Sequence, residues 1–276
     1  MWRRLPPPRV LGRLVVRAAR ASLPVVVAIV SAVVVGGGGL YGYRWLTCSD
    51  DFAVTRLEVR GGGPHSDEAR VHALLGVGEG DNIFRVSTAA LEQRLEADPW
   101  IASAHVSRRL PDTLIAEVGE EHAAVVVELG GLYLADANGR VFKRVDVAAG
   151  EGQGLPIVTG IARKAYVRSP ETAAVEVREA LEALAVYRTR AGRPAVSEIH
   201  LDARRGVVFY TYDGAMAIRV GSGDDADLAR RLATFDAAWA ELTRDERAAA
   251  RVVYVDNKAR PDRVTVGFAE PRRSDG

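Results

Sequence analysis

The residues that could do chemistry in this chain are few and widely spaced. The histidines are His65, His72, His105, His122 and His200. None stands at ligand spacing from another histidine, a cysteine or a carboxylate. The acidic pairs Glu120–Glu121 and Asp224–Asp225 are neighbours in sequence, so they point to opposite faces of a strand or cap a helix. The sequence therefore predicts no enzyme, no metal site, no cofactor and no small-molecule substrate.

Two further features could bind or react, and each has a simpler interpretation. The glycines Gly76, Gly78 and Gly80 resemble part of a dinucleotide loop, but their spacing is incomplete and no helix follows directly. We interpret them as a turn-rich loop. Cys48 is the one cysteine, so an internal disulfide is excluded. A free thiol is the simplest interpretation, and a lipid-modified or intermolecular cysteine is the alternative.

Basic residues are concentrated at the N-terminus. The first 44 residues contain seven arginines and no acidic residue, and the remainder carries more acidic than basic side chains. A nucleic-acid-binding protein needs a basic face that displaces counterions from phosphates. The mildly acidic body therefore argues against nucleic acid as a partner.

An uncharged segment follows the basic residues 1–20 and spans residues 21–43. As a helix, its 23 residues rise about 34 Å, enough to cross a hydrocarbon core of about 30 Å. Tyr41, Tyr43 and Trp45 form an aromatic belt at one end. The positive-inside rule predicts a cytoplasmic N-terminal tail and an extracytoplasmic body. A cleaved signal peptide is the alternative, although no Ala-x-Ala site lies near the glycines.

Residues 52–121 alternate between strand and helix patterns. A strand over 52–60 precedes two short helices, which we expect to be capped by Ser66 and Ser87. Two strands follow, at 100–107 and 113–118, and a turn around Pro111 joins them. The order β-α-α-β-β predicts two helices packed on a three-stranded sheet.

The sequence pattern over residues 122–270 predicts a second module that is rich in strands. Residues 271–276 are predicted to form a polar tail. Asn138–Gly139 and Asp213–Gly214 are hairpin turn signals. Apolar residues at helical spacing predict helices over 171–190 and 224–242. The predicted strands are 122–129, 132–136, 140–143, 196–201, 206–212, 215–220, 252–255 and 263–268.

Five short motifs carry a family resemblance. They are Leu-Glu-Val-Arg-Gly at 57–61, Gly-Asp-Asn-Ile-Phe at 80–84, Asp-Pro-Trp-Ile at 98–101, Arg-Leu-Pro-Asp-Thr-Leu at 109–114 and Glu-His at 121–122. Together they resemble a POTRA domain and, more narrowly, the bacterial cell-division family FtsQ/DivIB. Leu-Pro-Ile-Val-Thr-Gly at 155–160 is similar to a segment of the same family. The expected fold is α+β, with one N-terminal transmembrane helix, a POTRA-like domain and a mixed β-sheet domain with helices.

The resemblance implies a divisome scaffold that links early and late division proteins at the septum by protein–protein binding. It implies an inner-membrane location with the bulk of the chain in the periplasm. The implied partners are FtsB-like and FtsL-like proteins at the last strands, and FtsK at the POTRA domain. The mechanism would be β-augmentation, in which a partner segment adds to an exposed sheet edge. The expected partner-binding residues are Val253, Tyr254, Val255, Val264, Val266 and Phe268.

Two other functions remain open at this stage. POTRA modules also serve in outer-membrane assembly and secretion factors, which predicts tandem POTRA units or a barrel-length series of strands. A membrane-anchored cell-wall enzyme is the second alternative. It predicts a convergent cluster of histidine, serine or carboxylate side chains in the second module. The loop 257–262 is longer than is common in the FtsQ/DivIB family, so the end of the resemblance is less closely matched.

Overall fold

The computed structural model describes residues 8–78, 80–202, 204, 206–257, 260 and 262–269, with side chains from residue 24 onward. The polar tail 271–276 and residues 1–7 of the basic tail lie outside the described residues. The chain divides into two compact units, the first ending at Gly119 and the second beginning at Glu120. Each unit is treated separately below.

The first unit begins with the long helix α1, Pro8–Cys48. It extends beyond both ends of the predicted segment 21–43, because arginine is a good helix former and does not stop the helix. Pro24 and the four consecutive glycines also lie within it. The part Pro24–Cys48 is long and apolar enough to cross a membrane, and its side chains are largely exposed. These properties are consistent with a single-pass membrane protein.

The remainder of the first unit is a small α/β layer. Its elements are a 3-10 turn, Asp50–Phe52, and then β1 Arg56–Gly61, α2 Glu68–Leu75, α3 Thr88–Glu96, β2 Ile101–Arg109 and β3 Thr113–Glu120. The sheet order is β1-β3-β2, with β1 parallel to β3. The inner faces of α2 and α3 pack against the sheet. Their buried residues form one cluster with Leu114, namely Val71, Leu75, Leu91 and Leu95. The predicted β-α-α-β-β order is confirmed.

One predicted cap is wrong by a single residue. The side chain that caps α2 is Asp67, whose carboxylate accepts a hydrogen bond from the backbone N–H of Arg70. Ser66 is buried, and its hydroxyl accepts from the backbone N–H of Gly63 instead. Ser66 belongs to the turn that precedes α2, because its backbone N–H also donates to the C=O of Gly63. The predicted cap Ser87 is confirmed for α3.

The second unit is built on one large sheet. Its elements are β4 Val125–Glu128, β5 Leu132–Ala135, β6 Val141–Arg144, β7 Ile157–Thr159, α4 Arg163–Arg168, α5 Pro170–Arg188, β8 Val196–Asp202, β9 Gly206–Thr211, β10 Ala217–Gly221, α6 Asp225–Glu241, α7 Arg244–Ala249, β11 Ala250–Tyr254 and β12 Thr265–Phe268. The nine strands are ordered β12-β11-β10-β9-β8-β7-β4-β5-β6. β6 and β12 therefore form the two ends of the sheet.

Helices α5 and α6 supply the apolar layer that covers this sheet. Leu184 of α5 and Leu232 and Phe235 of α6 are buried in one cluster with Phe209 and Val253 of the strands. The apolar residues at helical spacing form one stripe along each helix. This stripe faces the sheet, and the other side of the helix faces solvent. The cluster fixes the positions of β10 and β11, and through them the position of β12.

Three elements of the second unit have no counterpart in the sequence predictions: α4, α7 and β7. Strand β7 has only three residues, and α4 has no side-chain cap, so neither carries a strong local signal. Helix α7 does carry one. Thr243 and Glu246 form a capping box, which is recognisable in the sequence as Thr-x-x-Glu. The predicted strand 122–129 is shorter in the structure and includes only β4.

Candidate partner-binding edge

The outer side of β12 is the candidate binding surface of the second unit, and we call it the β12 edge. Strand β11 is parallel to β10 on one side and antiparallel to β12 on the other. In the described part of the chain, β12 has no other strand beside it. An end strand exposes a row of backbone N–H and C=O groups that can pair with another chain. The geometry is therefore suited to strand addition.

The six predicted residues fall into three pairs in the structure: buried, exposed and partly buried. Val253 and Val255 are buried, with only 0% and 2% of their surface exposed. Their side chains support the strand from within the core and are not available to a partner. Tyr254 and Phe268 are 40% and 47% exposed, and Val264 and Val266 pack partly against the core. Because β11 is an interior strand, its backbone is also unavailable, and of these two strands only β12 can offer backbone groups to a partner.

Gly267 allows β12 to lie close to its neighbour. A Cβ atom at this position would come within 2.8 Å of Cγ1 of Val252, closer than such atoms normally approach. Gly267 is paired with Val252 in the register of the two strands. The missing side chain thus permits tight pairing at the end of the sheet.

Arg219 is a functional candidate that the sequence predictions missed. It lies directly opposite Tyr254 in the β10–β11 register. Its guanidinium carbon is 5.6 Å from the centroid of the Tyr254 ring, a cation–π distance. Its Nε atom is buried and has no hydrogen-bond partner among the described residues. The strand alternation of 215–220 was the available signal, since it places Arg219 on the face opposite Ile218.

Helix α6 is held beside the sheet by a buried ion pair. Arg193 donates to both carboxylate oxygens of Asp236, through Nε and Nη2, each at 2.8 Å. The two side chains are only 8% and 7% exposed. Hydrogen bonding from Arg193 is the main cause that lowers the pKa of Asp236, and burial opposes it. The pair joins α6 to the loop that follows α5.

The five histidines do not converge in the structure. His65 stacks on Trp100 and His105 pairs with Glu92, both in the first unit. His72 lies near Glu68 on α2. His122 is exposed at the start of the second unit. No group of three or more potential metal ligands is found in the part of the chain that the structure describes.

His200 alone belongs to a small polar cluster. The hydroxyl of Thr159 donates to Oε1 of Glu198 at 2.6 Å and lies 2.8 Å from Nδ1 of His200. This arrangement is not that of a catalytic triad, in which the imidazole lies between the hydroxyl and the carboxylate. Here the hydroxyl of Thr159 on β7 is in the middle, between Glu198 and His200 of β8. The cluster is a set of cross-strand polar contacts that hold two neighbouring strands together.

Comparison with known proteins agrees with this architecture. A family model described as "POTRA domain, FtsQ-type" matches residues 52–121, and one described as "Cell division protein FtsQ/DivIB, C-terminal" matches residues 123–257. The chain belongs to the FtsQ/DivIB family of cell-division proteins. A role in cell division follows from this membership.

Individual relatives of the FtsQ/DivIB family resemble the chain over most of its length. The protein named cell division protein FtsQ of Anaeromyxobacter sp. (strain K) is 34% identical over 267 residues, covering 96% of this chain and 88% of the relative. The FtsQ of Geotalea daltonii is 33% identical over 75% of this chain and 74% of its own length. That of Myxococcus fulvus is 30% identical, with coverages of 85% and 80%.

Proposed function

We propose that this chain is a membrane-anchored adaptor of the divisome that works by binding other proteins and catalyses no reaction. Its N-terminal tail lies in the cytoplasm, α1 crosses the inner membrane, and both units lie in the periplasm at the septum. The working parts follow the predicted ranges: tail 1–20, span 21–43, POTRA-like domain 52–121 and β domain 122–270. FtsB-like and FtsL-like proteins bind the β domain, and FtsK contacts the POTRA-like domain.

The observation that carries this proposal is the β12 edge. It combines backbone groups that no described strand occupies with a half-exposed aromatic side chain, Phe268. In strand addition, backbone bonds supply affinity and side-chain contacts supply register. Phe268 is the aromatic anchor of this surface. Tyr254 and Arg219 lie on the opposite face of the sheet from Phe268 and form a site for an acidic side chain.

Binding is tested by co-purifying the full chain from membranes with the FtsB-like and FtsL-like proteins of the same cell. Phe268→Asp places a charge where an apolar contact is expected. An aromatic anchor contributes about 2 kcal/mol or more, so recovery of the partners should fall about thirtyfold. Tyr212→Asp is the matched control, because Tyr212 is an exposed aromatic residue outside β12. Equal recovery with Phe268→Asp and wild type would show that the β12 edge is not the binding site.

The orientation can be tested with the cysteine at the end of α1. Cys48 is exposed and is the last residue of α1. A membrane-impermeant maleimide added to spheroplasts should label it without lysis. Labelling only after lysis would contradict the proposed orientation.

A fluorescent protein fused to the N-terminus should form a band at midcell, and a uniform membrane signal would argue against septal recruitment.

A further inference from the structure

The end of α1 is joined to the first unit by side-chain amide hydrogen bonds. Nδ2 of Asn82 donates to the backbone C=O of Leu46 at 2.9 Å and to that of Ser49 at 3.3 Å. The last carbonyls of a helix have no partner within the helix and must be satisfied from outside it. Asn82 therefore caps α1 from the loop between α2 and α3. Residues 82–86 of that loop are called the Phe84 loop below.

Aromatic packing supports the same junction. The ring of Phe52 lies between those of Trp45 and Phe84, with centroid distances of 5.5 Å and 5.1 Å and edge-to-face geometry. The backbone N–H of Ile83 donates to the C=O of Phe52 at 2.8 Å. Arg108 donates to the C=O of Ile83 at 2.8 Å, which fixes the loop to β2. The Phe84 loop thus keeps a defined position beside the last turns of α1.

The position of the loop along α1 places it at the depth of the lipid headgroups. Phe84 and Arg85 line a shallow cleft together with Tyr43, Leu46 and Thr47. From Pro24 to Tyr43 the helix rises about 29 Å, which matches the hydrocarbon thickness of about 30 Å. The interfacial layer adds about 6 Å on each side. One further helical turn from Tyr43 to Thr47 covers that distance, so the cleft falls within this layer.

The exposed side chains at this depth suit a lipid surface. Phe84 is 37% exposed beside the exposed rings of Tyr43 and Trp45, and aromatic side chains are enriched at this boundary. Arg44 and Arg85 are both exposed, and neither has an ion-pair partner among the described residues. Asp50 and Asp51 follow the end of α1 in the 3-10 turn. Asp50 and Asp81 line a second cleft with Arg85, without an ion pair between them among the described residues.

We infer that the Phe84 loop is a second membrane contact of the first unit. Phe84 enters the interfacial layer next to α1, and Arg44 and Arg85 bind lipid phosphates. This inference depends on the membrane insertion of α1 proposed above. Its consequence is that the POTRA-like unit rests on the bilayer in a fixed position and does not swing freely on a flexible tether.

The test uses the full chain in lipid nanodiscs made of phosphatidylcholine and phosphatidylglycerol. Cys48→Ser removes the native thiol, and a single cysteine carrying an environment-sensitive fluorophore is introduced by Phe84→Cys. Arg85→Cys provides a second label that keeps Phe84. Ala102→Cys is the control. Ala102 is exposed at the start of β2, which lies beside the end of β3. This end of the sheet is about 20 Å from the start of β1, the strand that follows α1. Val30→Cys marks the hydrocarbon core.

Quenching by lipids that carry a spin label near the headgroup gives the readout. We expect strong quenching and blue-shifted emission at positions 84 and 85 and little of either at 102. Replacing phosphatidylglycerol by phosphatidylcholine should lower the ratio of docked to free loop about fivefold for each arginine involved. If the label at 84 behaves like that at 102 while the label at 30 is quenched by chain-labelled lipid, the loop inference is wrong and membrane insertion stands. If the label at 30 is also unquenched, the proposed anchor itself fails.

Discussion

Asp236→Asn should destabilise the second unit more than any exposed charge change, because it leaves Arg193 charged and buried. The substitution keeps the size of the side chain and removes only the negative charge. Breaking a buried ion pair by removing one partner costs about 3–5 kcal/mol. We expect the lower end, about 3 kcal/mol, because the asparagine oxygen can still accept one hydrogen bond and Arg193 also donates to the backbone C=O of Tyr187.

Urea unfolding of the full chain in detergent measures this loss. Trp239 lies three residues after Asp236 and stacks on Phe235 with a centroid distance of 5.5 Å, so its fluorescence reports on α6. The other three tryptophans are replaced by phenylalanine. With a slope of about 2 kcal/mol per molar urea, a loss of about 3 kcal/mol lowers the midpoint by about 1.5 M.

The pH dependence gives a second, independent signature. Asp236 has a folded-state pKa below its unfolded value of about 3.9, so its contribution is complete above that value. It is lost as the pH falls through the folded pKa. The stability difference between wild type and Asp236→Asn should therefore be constant from about pH 7 to pH 5 and shrink below about pH 4.

Arg190 supplies the matched control for the same carboxylate. It also pairs with Asp236, but its side chain is 65% exposed. Arg190→Ala should therefore cost no more than about 1 kcal/mol. The reasoning is refuted if Asp236→Asn shifts the midpoint no further than Arg190→Ala, since burial would then make no difference to the pair.

Three further outcomes are expected from the structure. Leu114→Ala should cost the first unit about 2–5 kcal/mol, because Leu114 is fully buried between the helices and the sheet; unfolding followed by far-UV circular dichroism measures it, and a loss under about 1 kcal/mol contradicts the described core. Gly139→Ala should destabilise the β5–β6 connection, because Gly139 has a φ of +81° and its Cβ would clash with the backbone C=O of Ala174; normal proteolytic resistance of this variant would refute the close approach. Arg219→Glu should weaken capture of the FtsB-like protein with the fold intact and reduce the salt dependence of binding; salt dependence equal to that of the wild type would exclude Arg219 from the interface.

Sequence patterns predicted the architecture well where local signals were strong. The apolar segment is recognisable by its uncharged length, and α3 and the amphipathic helix that became α6 combine clear periodicity with good caps. Strand β7 could not be predicted, because its three residues become a strand only by pairing with β4 and β8. Such short strands are defined by tertiary contacts and carry little local preference.

The sequence indicated the strands that form the candidate site, but it did not show which of their side chains face outward. Alternation around 252–255 indicated a strand, but it could not show that Val253 and Val255 face the core while Tyr254 faces outward. The parallel pairing of β10 with β11 decides that, and it depends on the crossover through α6 and α7. Arg219 was missed for the same reason. Its partner Tyr254 is distant in sequence and meets it only through this pairing.

The order of the strands along the chain has a consequence for assembly. Among the nine strands of the large sheet, β12 comes last in sequence, although it forms the surface proposed for partner capture. During synthesis and export, the other eight strands emerge first, and an unfinished sheet offers no β12 to an arriving subunit. Recruitment would then report that the polypeptide has been made and folded through β12, so copies that stop short of β12 would be left out of the division machinery.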